Sequence, residues 1–175
     1  VTTAAPSYLG RGSGPADAEA LRWQAVLAEA APVIAQENFV GAQWTKLIIN
    51  QVNALPAITG LSVQEVVADN RLRRILTASM REAVRVGLGA GIDFASLQGL
   101  SDATLRRFAR MPLWLGQSVP KAMAERMGRV PNPGSTLQSI RRGQATEIDA
   151  LNGAVVRVAD ATGQALEKVA EDTDR

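Results

Sequence analysis

Apolar and polar positions follow two rhythms along this chain, and the rhythm changes near residue 43. Before that point the pattern is short and broken. Ser7-Tyr8-Leu9-Gly10 reads as the end of a strand, and Gly10 to Pro15 as a loop of glycine, serine and proline. Asp17 is placed to cap a helix through Leu21, Val26, Leu27 and Ala30 that stops near Pro32. Val33-Ile34-Ala35 is a short strand candidate, so this part predicts half of an α/β unit.

After Gln43 the spacing is helical throughout. One helix runs to about Thr59-Gly60, where the glycine can act as a C-cap. Ser62 and Glu65 have capping-box spacing at the head of a short helix. Asn70 is expected to cap a long helix that carries Leu72, Leu76, Ser79, Met80, Ala83 and Val86 on one face and ends at Gly89-Ala-Gly91. Ser101 opens another, through Leu105 and Phe108. Pro112 to Gly128 predicts at least one helix, broken at Pro120. A Pro-Asn-Pro-Gly turn at 131 to 134 precedes a short helix from Ser135, and a last long helix is expected from about Thr146.

The first of these helices has an unusual surface. At about 100° per residue, Lys46, Asn50 and Asn53 share one narrow stripe, while Trp44, Leu47, Ile48, Ile49, Val52 and Leu55 cover the rest. A helix with that much apolar surface is mostly buried, so its polar stripe faces water or lines a polar cleft. In the last helix, Glu147 falls at the head of the apolar stripe of Leu151, Ala154, Val155 and Val158. Either this carboxylate meets a cation or ligand, or it sits exposed at the helix end beside the dipole.

Composition narrows the chemistry. The 175 residues are 46% apolar and 21% charged, which suits one folded domain, or one plus a fragment of another. Nineteen basic and seventeen acidic residues leave a net charge of +2, and the groups Arg71-Leu-Arg73-Arg74, Arg106-Arg107 with Arg110, and Arg141-Arg142 read as solvated helix faces. They lack the clustering that nucleic-acid binding needs. Cysteine and histidine are absent, so disulfides, thiol nucleophiles, histidine bases and the usual zinc sites are excluded. No apolar run approaches the roughly 18 to 20 residues of a membrane span, and no signal peptide opens the chain. The first residue is Val rather than Met, so residues ahead of it are expected. Gly10-Arg-Gly12-Ser-Gly14 has its third glycine out of place for a dinucleotide fingerprint, and no complete βαβ unit is expected around it.

Two segments carry a resemblance. Trp44-Thr-Lys46-Leu-Ile-Ile-Asn50, Asn53-Ala-Leu and Thr59-Gly60 resemble the opening of the C-terminal domain of ketopantoate reductases (2-dehydropantoate 2-reductases). Gly134-Ser135-Thr-Leu-Gln-Ser-Ile-Arg-Arg-Gly143, Thr146-Glu147-Ile-Asp149 and Leu151-Asn-Gly153 resemble that family's second signature, in the family's order. The similarity runs from about residue 9 to about residue 163. It implies a mainly α fold, the helical C-terminal domain of the 6-phosphogluconate-dehydrogenase-like type, over residues 41–175. Residues 1–40 are then a short α/β remnant of the N-terminal Rossmann domain.

The resemblance implies NADPH-dependent reduction of 2-dehydropantoate to pantoate, in pantothenate biosynthesis in the cytoplasm. Lys46 matches the catalytic lysine, a general acid on the keto oxygen, and Glu147 the glutamate that cooperates with it. Asn50 matches an asparagine that orients lysine and substrate, Ser135 a substrate-binding serine, and Asn53 a second substrate asparagine. NADPH would be bound mainly by a domain largely absent from this chain, leaving the fragment inactive alone. The implied partner is a small 2-keto acid, with no metal, no nucleic acid, no membrane, and a homodimer allowed.

The chain also departs from the family pattern. The second asparagine often falls eight residues after the lysine, where Ala54 stands here. Ser62-Val63 replaces a further asparagine of some members, Ser139 an aspartate, and Gly163-Gln-Ala-Leu-Glu-Lys a proline-containing tail. These differences bear on the exact substrate, and another 2-keto acid is the alternative. Two other classes are a non-catalytic helical binding or dimerisation module and an unrelated helical regulator that binds nucleic acid.

Overall fold

The computed structural model describes residues 6 to 166. The fold is mainly α with a short α/β piece ahead of it, as the two rhythms predict. It forms two compact units, one built from residues up to Lys46 with Ile92–Asp102, the other from Leu47–Gly91 with the residues from Ala103 onward.

In the first unit, strand β1 (Ser7–Leu9) is followed by helix α1 (Ala18–Ala28) and strand β2 (Val33–Ala35). The strands pair in parallel, Ser7 with Val33, Tyr8 with Ile34 and Leu9 with Ala35. Parallel strands need a crossover, and α1 supplies it. A complete two-stranded β–α–β unit therefore surrounds the Gly10–Gly14 loop, which corrects the expectation of half a unit. Asp17 caps α1 as expected, its carboxylate accepting from the Ala20 N–H at 2.9 Å. Helix α2 (Phe39–Asn50) starts in this unit, where the Thr45 hydroxyl donates to the Ala95 carbonyl at 2.7 Å and Asn38 Nδ2 to that of Asp93 at 2.6 Å.

The second unit is built around α5 (Asn70–Gly89), which packs against α4 (Val63–Ala68), α7 (Leu113–Gly116), α8 (Ser118–Arg126) and α10 (Asn152–Ala161). Helix α3 (Ala54–Thr59) packs on α4 and on α9 (Gly134–Arg141), and α6 (Asp102–Arg110) adds Leu105 and Phe108 to the core. The fully buried Val63, Val66, Leu76, Met80, Val84, Leu105 and Phe108 lie at the positions their helical period requires.

In this unit the cap of α5, the interruption near Pro120 and the place of Arg73 differ from the sequence pattern. Asp69, not Asn70, caps α5, its carboxylate accepting from the N–H groups of Arg71 and Leu72 at 2.8 Å. Pro120 does not break a helix but sits in the first turn of α8, where a missing N–H costs nothing, and the interruption falls at Gln117. Arg73 is no solvated residue: it is buried and donates to the Val67 carbonyl at 2.6 Å, the Ala68 carbonyl at 3.2 Å, Gln117 Oε1 at 2.9 Å and Asn70 Oδ1. It thereby satisfies carbonyls that the end of α4 leaves open. The capping box at Ser62 forms as expected, and the two hydrogen bonds from Ser62 hold the Glu65 carboxyl below its usual range.

Candidate functional site

Helix α2 carries Lys46 and Asn50 one turn apart on the face opposite the buried Ile48 and Ile49. The sequence pattern predicts one helix through to Thr59, but the chain tightens into a 3₁₀ turn at Gln51–Asn53 before α3 begins. Pro56 accounts for this, because it has no N–H to give the Val52 carbonyl and its ring crowds that oxygen. The polar stripe survives the change. In a 3₁₀ turn, side chains three residues apart eclipse, so Asn53 stays in line with Asn50. Lys46 is exposed, Asn50 half-buried and Asn53 buried. The Lys46 ammonium and the Asn50 carboxamide have no hydrogen-bond or ion-pair partner among the described residues.

The second motif begins at the Pro-Asn-Pro-Gly turn, which α4 holds in place. The Asn132 carbonyl accepts from the Val63 N–H at 2.8 Å, and the Asn132 N–H donates to Gln64 Oε1 at 2.9 Å. Asn132 Oδ1 then accepts from the Gly134 N–H at 2.9 Å and aims the chain into α9. The first residues of α9 have no side-chain cap of their own, and Asn53 supplies one, its Oδ1 accepting from the Ser135 N–H at 3.4 Å across 82 residues of sequence. The Ser135 hydroxyl itself is left exposed, with no partner among the described residues.

Gly134 is required here for two reasons. Its φ is +71°, and a Cβ would come within 2.7 Å of Asn53 Oδ1. Gly128 has a similar φ of +80° but open space around it. Gly134→Ala is therefore expected to destabilise by more than the roughly 1–2 kcal/mol of a left-handed alanine, and Gly128→Ala by about that strain alone. Urea unfolding of both variants measures the difference; equal losses would mean that Asn53 moves aside freely.

Sequence reasoning missed Gln51, which lies off the Lys46 stripe and has no motif to mark it. It is 3% exposed, and its Oε1 accepts from Ser79 Oγ of α5 at 3.1 Å and from Asn152 Nδ2 of α10 at 2.6 Å, while its Nε2 donates to the Leu47 carbonyl at 3.2 Å. A buried glutamine inside an apolar helix was the available signal, since such a group must find partners. Gln51→Leu keeps the volume but strands two donors, so a loss of about 1–3 kcal/mol is expected. A urea midpoint equal to that of the parent protein would show that water replaces them.

Glu147 is not where the helical period puts it. Helix α10 starts at Asn152, and Glu147 begins a preceding turn in which its carbonyl accepts from the Leu151 N–H at 2.9 Å and that of Ile148 from the Gly153 N–H at 3.0 Å. Leu151, with φ −97° and ψ −88°, breaks the phase between this turn and α10. The carboxylate is exposed, with no partner among the described residues, and does not head a buried stripe. The Gln51–Asn152 hydrogen bond fixes the end of the turn that carries it.

The structure thus joins the two sequence motifs through Asn53–Ser135 and Gln51–Asn152, all within the second unit. It leaves Lys46, Asn50, Ser135 and Glu147 with uncommitted polar groups among the described residues. No cluster of three metal-ligating side chains occurs among them. No helix of the described residues is long and apolar enough to cross a membrane.

A nucleotide pyrophosphate does not fit the loop between β1 and α1. The first turn of α1 is already filled by Asp17 and Glu19, both bound by Arg11, and the Arg11 guanidinium holds the Asp17 carboxyl below its usual value. Gly10 lies against the Phe39 side chain, so its missing Cβ serves packing and not a ligand. Two carboxylates at a helix N-terminus repel an incoming phosphate.

Residues 38–169 match the family model described as "Ketopantoate reductase PanE/ApbA C terminal". Among solved structures, the chain is similar to a PanE/ApbA family ketopantoate reductase from Ralstonia eutropha JMP134, with 29% identity and a TM-score of 0.67 over 93% of this chain and 47% of that one. A 2-dehydropantoate 2-reductase from Methylococcus capsulatus matches 94% of this chain and 47% of its own length, at 20% identity and a TM-score of 0.69. A D-mandelate dehydrogenase solved with NADH and anilino(oxo)acetate shares the fold at 17% identity and a TM-score of 0.69, over 94% of this chain and 62% of its own. The chain spans about half the length of the reductases it matches. No curated protein sequence matches it significantly.

Proposed function

The chain belongs to the ketopantoate reductase family, and from that premise we propose that it supplies the lysine-bearing, substrate-binding half of an NADPH-dependent reductase of 2-dehydropantoate. The observation that carries this reading is the pair of hydrogen bonds within the second unit, Ser135 N–H to Asn53 Oδ1 and Asn152 Nδ2 to Gln51 Oε1, which tie the segment just after Lys46 to the segments of Ser135 and Glu147.

In the reaction a 2-keto acid takes up a hydride and a proton and becomes a 2-hydroxy acid. Lys46 holds its ammonium at the keto oxygen, stabilises the alkoxide as it forms, and gives it the proton. Asn50, one turn on, orients the same oxygen and the lysine. The free Ser135 hydroxyl binds the substrate's polar end, and the Glu147 carboxylate accepts from the new hydroxyl and favours the charged form of Lys46, which takes its proton back from water. Asn53 acts through α9, by fixing where Ser135 stands.

The reductant in this reading is NADPH, bound by residues other than those described, because the β1–α1 loop does not fit a pyrophosphate. The exposed Leu21, Trp23, Val26 and Leu27 of α1 and Ile34 of β2 support that placement. Parallel sheets are normally covered on both faces, and this apolar surface suits the continuation of a larger α/β domain. On this reading residues 1–40 are the end of the nucleotide-binding domain and 41–175 the substrate domain.

The test is NADPH oxidation by the complete protein against a panel of 2-keto acids, with 2-dehydropantoate expected to give the highest kcat/KM. No turnover with any of them would sink the proposal. The 175-residue chain alone is expected neither to bind NADPH tightly nor to turn over; detectable reduction of 2-dehydropantoate by the isolated chain would refute the assignment of the cofactor to another domain.

A further inference from the structure

The second unit holds a cavity that the proposed reaction does not use. It is an open cleft of about 580 Å³ between the start of α5 and the α7–α8 junction. Sites for small organic ligands typically span about 300–1,000 Å³. None of Lys46, Asn50, Asn53, Ser135 and Glu147 lines it.

Its lining is one-sided in charge. Arg71, Arg74 and Lys121 contribute cationic groups, and no aspartate or glutamate lines the wall. Arg71 and Lys121 are exposed, and neither side chain has a hydrogen-bond or ion-pair partner among the described residues. The two like charges of Arg71 and Lys121 repel one another, and an anion between them relieves that cost. Arg73, the fourth cation of the lining, spends its donors on Val67, Ala68, Asn70 and Gln117. It acts as a fixed strut and holds Gln117 of the far wall at 2.9 Å.

The other wall is apolar. Trp114 is 73% exposed and Leu115 43% exposed, both on the short helix α7 and both lining the cavity. An indole left open beside unpaired cations offers a flat face for stacking and a charged rim for an acidic group. The N-terminal donors of α5 are already used by Asp69, so recognition falls to the side chains.

From this placement we propose that the cleft binds a small organic anion with a planar aromatic ring, the ring stacked on Trp114 and the phosphate or carboxylate held by Arg71 and Lys121. The one indole in the lining and the two free cations beside it favour one compact ligand over an extended acidic peptide.

Calorimetric titration of the protein with naphthyl phosphate, naphthol and inorganic phosphate separates the ring from the charge. Naphthyl phosphate is expected to bind at this site at least about tenfold more tightly than either half, and to weaken as salt rises. Arg71→Gln with Lys121→Gln should weaken it about tenfold or more by removing two charge-assisted contacts. Trp114→Ala should weaken naphthyl phosphate while leaving the weak binding of inorganic phosphate unchanged. These three residues are exposed, so circular dichroism and melting of the variants should match the parent protein. Naphthyl phosphate binding no tighter than naphthol, or unchanged in either variant, would overturn the proposal. A concentration-dependent dimer in sedimentation that Trp114→Ala abolishes, with no ligand bound, would overturn it too, by making this face a contact between copies.

Discussion

Lys46→Ala in the complete protein is expected to lower kcat for 2-dehydropantoate at least about a hundredfold while leaving the fold intact, because a positioned general acid contributes about 10²–10⁴ in rate. The corresponding barrier increase is roughly 3–5 kcal/mol. Stability should hardly change, since the ammonium is exposed and bonded to no described residue. Loss of an interaction made only in the transition state lowers kcat and kcat/KM together, whereas loss of ground-state binding raises KM. Lys46→Arg keeps the positive charge but not a readily transferred proton. It is expected to restore substrate binding more than turnover. A normal rate in the alanine variant would remove the lysine from the mechanism and leave the polar stripe of α2 as surface.

Phe108→Ala is expected to cost about 3–5 kcal/mol of stability, a large share of the roughly 5–15 kcal/mol that holds a domain together. Phe108 is 1% exposed on α6. A Cβ on Gly116 would approach its Cε2 to 3.1 Å, so the ring lies close on the α7 backbone. Ile58→Ala is the control: Ile58 is 79% exposed, and a change within about 0.5 kcal/mol is expected. Urea unfolding with a lowered midpoint and an unchanged m-value checks both. A loss below about 1 kcal/mol for Phe108→Ala would show that the second unit repacks around the gap.

Much of this was legible along the chain, for local reasons. A capping box needs only Ser62 and Glu65 three residues apart, and an apolar stripe needs only a period, so α4 and the buried face of α5 follow from neighbours in sequence. The motif residues that mark the family are likewise contiguous, and the family model covers the region where they stand. What periodicity got wrong had a remote cause or a phase break. Pro56 tightens a helix four residues back into a 3₁₀ turn, and the turn from Glu147 to Leu151 takes Glu147 off the stripe that a regular helix would give it. Arg73 looked like one charge in a solvated run because the carbonyls and the Gln117 side chain that it binds are not visible in a helical wheel.

The sequence by itself determined the helical class, the apolar faces and the polar face of Lys46, Asn50 and Asn53, because helical spacing and capping act within a few residues. Only the tertiary structure decided that Asn53 caps the helix of Ser135, that Gln51 ties down Asn152, and that Glu147 stands in an exposed turn. Those contacts span 82 and 101 residues. A buried polar group takes whichever partner the packed helices bring to it, and no local pattern encodes that choice.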